Sequence, residues 1–457
     1  METSAAMARP PHTDFKTLIV GLGKTGVSCA RYLSAQGVSA AATDSRPNPP
    51  GLEQLRREMP ELPVFVGGFD PAVFGAAEQL VVSPGVPVAQ PLIQQALARG
   101  VPVIGDVELF ARAARAPICA ITGSNGKSTV TSLVGLMARL AGRRAAVGGN
   151  LGEPVLDLLS DQAELYVVEL SSFQLETTPT LRARAAVCLN VSADHMDRYP
   201  DLDSYVAAKA RIYAGAGASV VNRDDPTVVA MGRGPGREIG FTLKVPGTGD
   251  YGVVERSGAQ WLSRGAEALM PAAEVLIPGR HNLANALAAL ALAEACDLEP
   301  EPCLEALRTF TGLEHRTQLV GKRGGVRWYD DSKGTNPGAT IAALDGLVPP
   351  GAAGLVVLIA GGDGKGADFA PLGPAVERTA RAVVLIGRDA PLIAAVLEGR
   401  APLVRAADMA DAVAKAAKLA QPGDCVLLSP ACASFDMFDD YAHRGRVFAE
   451  AVRRLAA

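Results

Sequence analysis

The sequence lacks the patterns of a secreted or membrane-inserted protein. Its seven cysteines are scattered and include no Cys-x-x-Cys pair, so neither a disulfide framework nor a thiolate metal site is indicated. Its strongly apolar stretches, such as 354–360 and 286–293, fall far short of the roughly 20 residues of a membrane span. The segment 1–15 has no continuous apolar core, and we expect a frayed leader there, not a signal peptide. We therefore expect a cytoplasmic protein without membrane insertion.

Neither sign of charge dominates, because 44 Lys and Arg face 48 Asp and Glu. An apolar fraction of 48% and a charged fraction of 20% are typical of globular proteins. We expect no nucleic-acid partner. The composition does not exclude phosphate ligands, because anion binding depends on where Lys and Arg cluster and not on their total number. The 457 residues suggest about three domains.

Short β-branched runs alternate with Ala- and Leu-rich stretches, which predicts an α/β protein with parallel sheets covered by helices. The predicted strands are 17–20, 38–43, 118–121, 165–168, 326–329, 355–360, 382–386 and 425–428, and the predicted helices are 26–36, 128–140, 204–213, 281–294 and 303–310. The segment 231–278 predicts loops and antiparallel strands. The alternation of strands and helices starts again near residue 106 and near residue 312, which predicts domains at 1–106, 107–312 and 313–457.

A glycine motif, Gly21-Leu-Gly23-Lys-Thr-Gly26, lies between the first predicted strand and helix, and Asp44 follows the next strand. This pattern is typical of a dinucleotide site, in which glycines let the backbone approach phosphate and the acid accepts ribose hydroxyls. Another nucleotide would satisfy the same chemistry, and a tight structural turn would use the same glycines. Taken alone, the motif leaves these alternatives open.

A second motif, Thr122-Gly-Ser-Asn-Gly-Lys-Ser-Thr129, lies between a buried strand and a helix and resembles a P-loop. Its backbone amides would hold phosphate oxygens, Lys127 would reach the β- and γ-phosphates, and Ser128 would ligate Mg²⁺. The motif departs from the standard spacing, because Ile121 occupies the position of the first glycine. The alternative is a glycine-rich turn with a surface lysine.

Five further positions are ambiguous when read alone. Glu169 closes an apolar strand, which suits a Mg²⁺ ligand at the sheet edge or a solvated acid. His195 is either a packed histidine or a metal ligand, and Lys209 belongs to a helix whose charges predict a solvated face. Asn282 and Asn285 lie three apart on a helix and share a face, as two amides that bind a nucleotide would.

The octapeptide at 122–129 resembles the motif of the Mur ligases, a family of ATP-dependent amide-forming enzymes. Further motifs fall in the order of that family: GGNLG (148–152), ELSSFQ (169–174), NVSADHMD (190–197), HNLAN (281–285), EHR (314–316), DSKGTN (331–336), GGDGK (361–365) and SPACAS (429–434). The match runs from about residue 17 to the C-terminus. It implies an N-terminal Rossmann-like domain, a central P-loop ATPase-like α/β domain and a C-terminal Rossmann-like α/β domain.

The resemblance also implies an activity, which is the ATP- and Mg²⁺-dependent addition of D-glutamate to UDP-N-acetylmuramoyl-L-alanine in peptidoglycan precursor synthesis. The implied protein is a monomer that uses two Mg²⁺ ions and carries a carbamylated Lys209. An oxidoreductase using Gly21–Gly26 and a binding protein switched by ATP are the alternatives from other classes. Phosphate release that requires both the UDP-sugar and the amino acid would separate a ligase from both.

The resemblance further implies a role for each matching residue. The implied catalytic residues are Lys127, His195 and Lys209, and the implied metal ligands are Ser128, Glu169, His195 and Lys209. ATP is implied to contact Gly123, Ser124, Asn125, Gly126, Lys127, Ser128, Thr129, Asn282, Asn285, Arg316, Asp331 and Lys333. The UDP-substrate is implied to contact Gly23, Lys24, Thr25, Asp44, Ser45, Arg46, Ser83, Pro84, Gly85 and Asn150. Glutamate is implied to contact Thr335, Lys365, Ser434, Phe435 and Tyr441.

Overall fold

The computed structural model describes residues 15–348 and 354–455, which fold around three sheets. Most of the predicted leader lies outside these residues. Its last residue, Phe15, was expected to be frayed but is only 4% exposed, because its ring packs into the core of the first domain. Among the helices in the described ranges, none is both long enough and apolar enough to cross a membrane.

The first sheet has five parallel strands in the order β3-β2-β1-β4-β5. Its strands are β1 (Thr17–Val20), β2 (Ala40–Asp44), β3 (Val64–Val66), β4 (Gln79–Val82) and β5 (Val103–Ile104), and the helices are α1 (Lys24–Ala35), α2 (Leu52–Glu58), α3 (Pro71–Ala76), α4 (Pro91–Ala98) and α5 (Asp106–Ala113). Strands β1 and β2 are buried throughout, as expected when helices cover both faces. The strand order reverses between β1 and β4, and ligands bind outside such a reversal in open α/β sheets.

The second sheet has nine strands in the order β14-β13-β12-β11-β10-β9-β6-β8-β7. These are β6 (Ile118–Thr122), β7 (Ala145–Gly149), β8 (Leu165–Glu169), β9 (Ala185–Cys188), β10 (Ala218–Asn222), β11 (Arg237–Phe241), β12 (Tyr251–Arg256), β13 (Ala259–Arg264) and β14 (Glu267–Pro271). The α-helices are α6 (Lys127–Leu140), α7 (Ser172–Glu176), α8 (Leu202–Ala210), α9 (Pro226–Ala230), α10 (Arg280–Ala295) and α11 (Pro300–Thr309), with short 3₁₀ helices at Val155–Leu158, Arg211–Tyr213 and Ala272–Glu274.

Two expectations for the central domain need correction. The segment 231–278 is not wholly antiparallel, because β11 pairs in parallel with both β10 and β12, and only β12, β13 and β14 form antiparallel pairs. The helix expected at 204–213 ends at Ala210 and continues as a 3₁₀ turn, whose last residue Tyr213 is buried and donates to the backbone of β10.

The third sheet has six strands in the order β15-β16-β20-β17-β18-β19. These are β15 (Gln318–Arg323), β16 (Val326–Asp330), β17 (Val356–Gly361), β18 (Ala380–Ile386), β19 (Leu403–Arg405) and β20 (Cys425–Leu428), with helices α12 (Pro337–Leu347), α13 (Leu372–Thr379), α14 (Ala390–Leu397), α15 (Met409–Leu419) and α16 (Tyr441–Arg454). Strand β15 is an antiparallel edge strand that the sequence did not predict. No residue in it is buried, so it lacks the apolar run by which β16, β17, β18 and β20 were recognised. The three-residue strand β19 was not predicted either, and it too has no buried residue.

The core of the central domain explains why its long helix is apolar on every side. Helices α6 and α10 pack together in the same hydrophobic cluster as β6, β8 and β9. Helix α10 is enclosed by α6, α11 and the sheet, and most of its residues are buried alanines and leucines. A helix that is hydrophobic all round is stable in such an enclosed place. This packing fixes the start of α10, and therefore Asn282 and Asn285, against the start of α6.

The third glycine of the first motif permits close packing of α1 on the sheet. A Cβ atom at Gly26 would overlap the carbonyl oxygen of Gly21. We predict that Gly26→Ala lowers the local stability of the first domain by about 1–3 kcal/mol, because the backbone must shift to relieve the overlap. Hydrogen exchange of peptides from β1 and β4 measures this loss.

The matched control is Gly75→Ala in α3, where a Cβ atom would meet nothing within 4 Å. Alanine favours a helix interior over glycine, so this variant should retain or raise protection. Equal protection in the Gly26→Ala and wild-type proteins would contradict the packing role of Gly26.

Candidate active site

The glycine-rich loop after β6 has the geometry of a phosphate-binding turn. Gly123 has a φ of 148° and Gly126 a φ of 84°, which are conformations that favour glycine. Gly126 is the N-cap of α6, so the first amides of a 14-residue helix face the loop. A helix N-terminus of this kind attracts anions through its free N–H groups and its dipole. The P-loop prediction therefore has the local structure that it requires.

Two lysines converge on one oxygen of this loop. The Nζ of Lys127 donates to the carbonyl oxygens of Gly123 (2.7 Å) and Ser124 (2.9 Å), and the Nζ of Lys209 donates to the same Gly123 oxygen (3.0 Å). Burial lowers the pKa of Lys127. Lys127 thus lies at the loop as predicted, folded over its carbonyl groups.

Lys209 is 1% exposed, so the alternative of a solvated helix face is wrong at this position. Its ammonium lies 4.6 Å from the centre of the Tyr205 ring. Burial, followed by the positive charge of Lys127, lowers the pKa of Lys209 to about 7. A lysine with this pKa is partly a neutral amine near neutral pH, and therefore a nucleophile.

The predicted metal ligands surround the same cavity of about 280 Å³. Glu169, at the end of β8, accepts a hydrogen bond from Asn150 (2.6 Å) through Oε1, while its buried Oε2 has no hydrogen-bond partner. Such an unpartnered carboxylate oxygen fits a hard cation. Asn150, predicted to contact the UDP-substrate, thus lies beside the predicted metal ligands.

Two further members of the predicted set are Ser128, in the first turn of α6, and His195, in the loop between β9 and α8. Burial lowers the pKa of His195, which favours the neutral imidazole that a metal requires. Ser128 Oγ accepts a hydrogen bond from Arg316 (2.7 Å). Within residues 15–348 and 354–455, no three His, Cys, Asp or Glu side chains form a metal cluster. Magnesium commonly uses one or two protein carboxylates together with phosphate oxygens and water, and Glu169 suits that mode of binding.

A larger cavity, of about 780 Å³, lies between the central and C-terminal domains and adjoins the loop. The predicted pair of asparagines lines it and does share a face, since Asn285 Nδ2 donates to Asn282 Oδ1 (3.0 Å). Six other predicted ATP contacts also line it, namely Asn125, Gly126, Thr129, Arg316, Asp331 and Lys333. The structure therefore brings the predicted ATP residues of two domains to one opening.

Asp331 and Lys333 follow β16, and burial shifts the pKa of both side chains. The Asp331 carboxylate accepts from the Thr317 amide (3.0 Å) and from Ser429 Oγ (2.7 Å), and burial raises its pKa to about 6. Burial, followed by the charge of Arg316, lowers the pKa of Lys333 to about 8. Lys333 Nζ lies 3.8 Å from the centre of the Tyr441 ring, so the predicted glutamate-binding Tyr441 supports a predicted ATP-binding residue.

The other predicted glutamate residues lie at the ends of β16, β17 and β20. Thr335 lines the smaller cavity, and Lys365 reaches Asp194 in the central domain with a distance of 3.0 Å from Nζ to Oδ1. Ser434 is buried, whereas Phe435 is 74% exposed. Of the described residues that line the smaller cavity, none is Ser434, Phe435 or Tyr441.

The predicted uridine-nucleotide residues gather at the strand-order reversal of the first sheet. Gly23, Lys24 and Thr25 begin α1, Asp44 ends β2 with Ser45 and Arg46 after it, and Ser83, Pro84 and Gly85 follow β4. Asp44 accepts hydrogen bonds from the Leu22 amide (2.7 Å) and from Arg46 Nη2 (2.7 Å). Ser83 Oγ donates to the Gly21 carbonyl (2.9 Å).

Sequence reasoning missed Asp194 and Asn336, which join the domains at the site, and Tyr205, which contacts the glycine-rich loop within the central domain. Asp194 binds Lys365 and also accepts from Asn336 Nδ2 (3.1 Å), and Asn336 donates to the Asn125 side chain as well (3.2 Å). Tyr205 shares a hydrogen bond with Ser124 (3.1 Å). Asp194 stands beside His195 in a motif that was recognised, and that adjacency was the available signal.

Comparisons with known proteins give the chain a family. Three family models match in order: the N-terminal domain of MurD-like Mur ligases (15–105), the Mur ligase middle domain (121–293) and the Mur ligase glutamate ligase domain (315–432). A protein of Nitrosococcus oceani named UDP-N-acetylmuramoylalanine--D-glutamate ligase is 55% identical over 446 residues, which cover 97% of this chain and 98% of that one. The protein of that name from Pseudomonas putida is 54% identical over 445 residues, covering 96% and 97%.

Solved structures share the fold at lower identity. A pseudomurein peptide ligase type C from Methanothermus fervidus aligns with a TM-score of 0.59 and 16% identity, over 97% of this chain and 100% of that one. A UDP-N-acetylmuramate-alanine ligase from Thermotoga maritima aligns with a TM-score of 0.58 and 21% identity, over 96% and 99%. With three ordered domain matches and relatives that are more than half identical over nearly their whole length, the chain belongs to the Mur ligase family.

Proposed function

We propose that the protein is an ATP-dependent ligase that joins D-glutamate to UDP-N-acetylmuramoylalanine. The observation that carries this proposal is the cluster of buried and half-buried cations at the glycine-rich loop. Lys127, Lys209, Lys333 and Arg316 line one small cavity with Glu169 and Asp194. Such an excess of positive charge at a helix N-terminus suits transfer of a phosphoryl group. The names of the relatives support the choice of sugar nucleotide and amino acid.

In the first step, the carboxylate of the UDP-substrate attacks the γ-phosphorus of ATP in line. The new bond joins a carboxylate oxygen to phosphorus, the bond to the bridging oxygen breaks, and ADP leaves with its electron pair. Lys127 and the first amides of α6 stabilise the charge on the transferring group, and Arg316 extends from the linker to Ser128, where it would contact the nucleotide phosphates that remain in ADP. The products are an acyl phosphate and ADP.

In the second step, the amine of D-glutamate attacks the acyl carbon. The amide bond forms, the bond from carbon to the phosphate oxygen breaks, and inorganic phosphate leaves while the amine loses its proton. Lys365 and Thr335 present a cation and a hydroxyl from the C-terminal domain, which suits binding of the glutamate carboxylates. We assign Ser434, Phe435 and Tyr441 to the outer part of this site.

We assign Mg²⁺ to Glu169, Ser128 and His195, with a second ion beside a carbamate on Lys209. The unpartnered Oε2 of Glu169 is the observation that supports this assignment. When bound, Mg²⁺ would neutralise charge on the phosphate oxygens. We assign UDP to the first domain, at Asp44, the start of α1 and the Ser83 loop, and we retain the expectation of a cytoplasmic monomer.

We predict that Lys127→Ala abolishes ligation, measured as phosphate release with ATP, UDP-N-acetylmuramoylalanine and D-glutamate. The loss should reach several kcal/mol of transition-state stabilisation, because Lys127 acts where charge accumulates. Calorimetry should show UDP-substrate binding close to that of the wild type, since the two sites lie in different domains.

The control is Lys322→Ala, which removes an exposed lysine of β15 and should leave phosphate release unchanged. Release by the wild type must require both the UDP-substrate and D-glutamate. Release with either one alone, or saturable NAD binding with hydride transfer, would contradict the proposed ligase.

We predict that Asp44→Ala raises KM for the UDP-substrate by about tenfold while kcat changes less, because a contact at the uridine end is made equally in the ground and transition states. Steady-state kinetics with varied UDP-substrate test this. Asp70→Ala is the matched control, since Asp70 is an exposed helix cap in the same domain. A fall in kcat alone would contradict a binding role.

We predict that Lys209 is carbamylated in the active enzyme. Its neutral amine adds to CO₂ to form an anionic carbamate with release of a proton, and burial near Lys127 favours that amine. Since the pKa is about 7, the carbamate should be lost as the pH falls below about 7 and should form above it. Nuclear magnetic resonance with isotope-labelled bicarbonate measures the carbamate directly.

The companion variant is Lys209→Ala, which should cripple phosphate release and be partly rescued by a short carboxylate such as acetate. Lys127→Ala, which also removes a lysine at Gly123, should not be rescued by acetate. Near wild-type turnover of Lys209→Ala in carbonate-depleted buffer would contradict the prediction.

A further inference from the structure

The linker between the central and C-terminal domains has an unusual backbone around Arg316. His315 and Thr317, on either side of it, have φ values of 61° and 47°. A β-branched threonine in this region is strained, and strain persists only where the surroundings hold it. The segment 315–317 is therefore held in place by specific contacts.

Most of those contacts come from the end of β16 and the residues just after it, and the His315 amide also donates to Oε1 of Gln318 (3.2 Å). His315 Nδ1 lies 2.6 Å from Asp330 Oδ2, and the His315 carbonyl accepts from the Lys333 amide (3.1 Å). On the other side, the Thr317 amide donates to Asp331 Oδ1 (3.0 Å). The backbone on both sides of Arg316 is thus attached to the C-terminal domain, while its guanidinium extends to Ser128 of the central domain (2.7 Å).

The pair of His315 and Asp330 is enclosed, with side chains 11% and 1% exposed. Helix α16 packs against it closely, since a Cβ atom at Gly445 would overlap the imidazole ring. The hydrogen bond to Asp330 raises the pKa of His315, and the nearby charges are Glu314, which raises it further, and Arg446, which lowers it. A buried, charge-assisted hydrogen bond of this kind holds its partners in one geometry.

We propose that His315 is a positioning residue, which through Asp330 holds the linker so that Arg316 reaches the nucleotide phosphates at Ser128. This inference rests on the proposed function for the identity of the nucleotide. Arg316 has a long and flexible side chain, and fixing its backbone on both sides reduces the freedom lost when it binds phosphate.

His315→Ala should raise the Kd for ADP, measured by calorimetry, and KM for ATP by roughly tenfold, because a charge-assisted contact from Arg316 is weakened. KM for the UDP-substrate should stay within about twofold. His315→Asn should restore most of the ADP affinity, because its amide nitrogen can donate to Asp330 and asparagine tolerates a positive φ.

Gly445→Ala tests the same geometry without a substitution in the linker itself. The added Cβ atom would displace the imidazole of His315, so the Kd for ADP should rise as it does in His315→Ala. The matched control is His443→Ala, which removes a His–Asp pair on the surface of α16 (3.0 Å to Asp439) and should not change the Kd.

Equal ADP affinity in His315→Ala and the wild type would overturn the inference, as would a parallel rise in KM for both substrates. The ADP titration reads out nucleotide binding alone. A failure of the proposed ligase would instead appear as wild-type protein that binds ADP but releases no phosphate with D-glutamate.

Discussion

The site depends on the crowding of like charges around one carbonyl oxygen. The ammonium groups of Lys127 and Lys209 both lie within 3.0 Å of the Gly123 oxygen, in a place where little water can screen them. Two neighbouring cations disfavour each other's charge, and burial strengthens the effect. An anion at the loop relieves that repulsion for both lysines, and so does a carbamate on Lys209. The cavity therefore favours a negatively charged ligand or side chain.

The strands make this crowding possible. Strands β6, β8 and β9 are parallel neighbours, so their carboxyl ends lie at one edge of the central sheet. This places Gly123, the Glu169 carboxylate and the loop that contains Asn190 close together. Glycine is strongly favoured at Gly123, because its φ of 148° would strain any other residue and a Cβ atom would lie 3.0 Å from the Cβ of Leu189. The rigid sheet supplies the precision, and the burial of α10 behind α6 keeps the helix N-terminus from moving away.

The sequence predicted what is local and missed what crosses between domains. The P-loop, the strand that ends at Glu169 and the shared face of Asn282 and Asn285 each depend on spacing within one segment, which periodicity reveals. The burial of Lys209 depends on packing of α8 against the glycine-rich loop, whereas the sequence of its own segment predicts a charged, exposed helix face. The bond from Arg316 to Ser128 joins residues 188 positions apart, and no local pattern contains that information. Strand β15 was missed for a different reason, since an exposed edge strand carries no buried face.

The pairing of Lys365 with Asp194 shows how one contact can serve both architecture and binding. A lysine has three N–H donors, and Asp194 uses one of them. In the proposed ligase, the remaining two would bind a carboxylate of glutamate. Asp194 is itself fixed by Asn336, whose amide also binds Asn125 of the glycine-rich loop. Because this chain of contacts runs from the glycine-rich loop to Lys365, the same loop would set the positions of both the proposed ATP site and the proposed amino-acid site. A ligase needs that coupling, since the acyl phosphate must form where the amine can attack it.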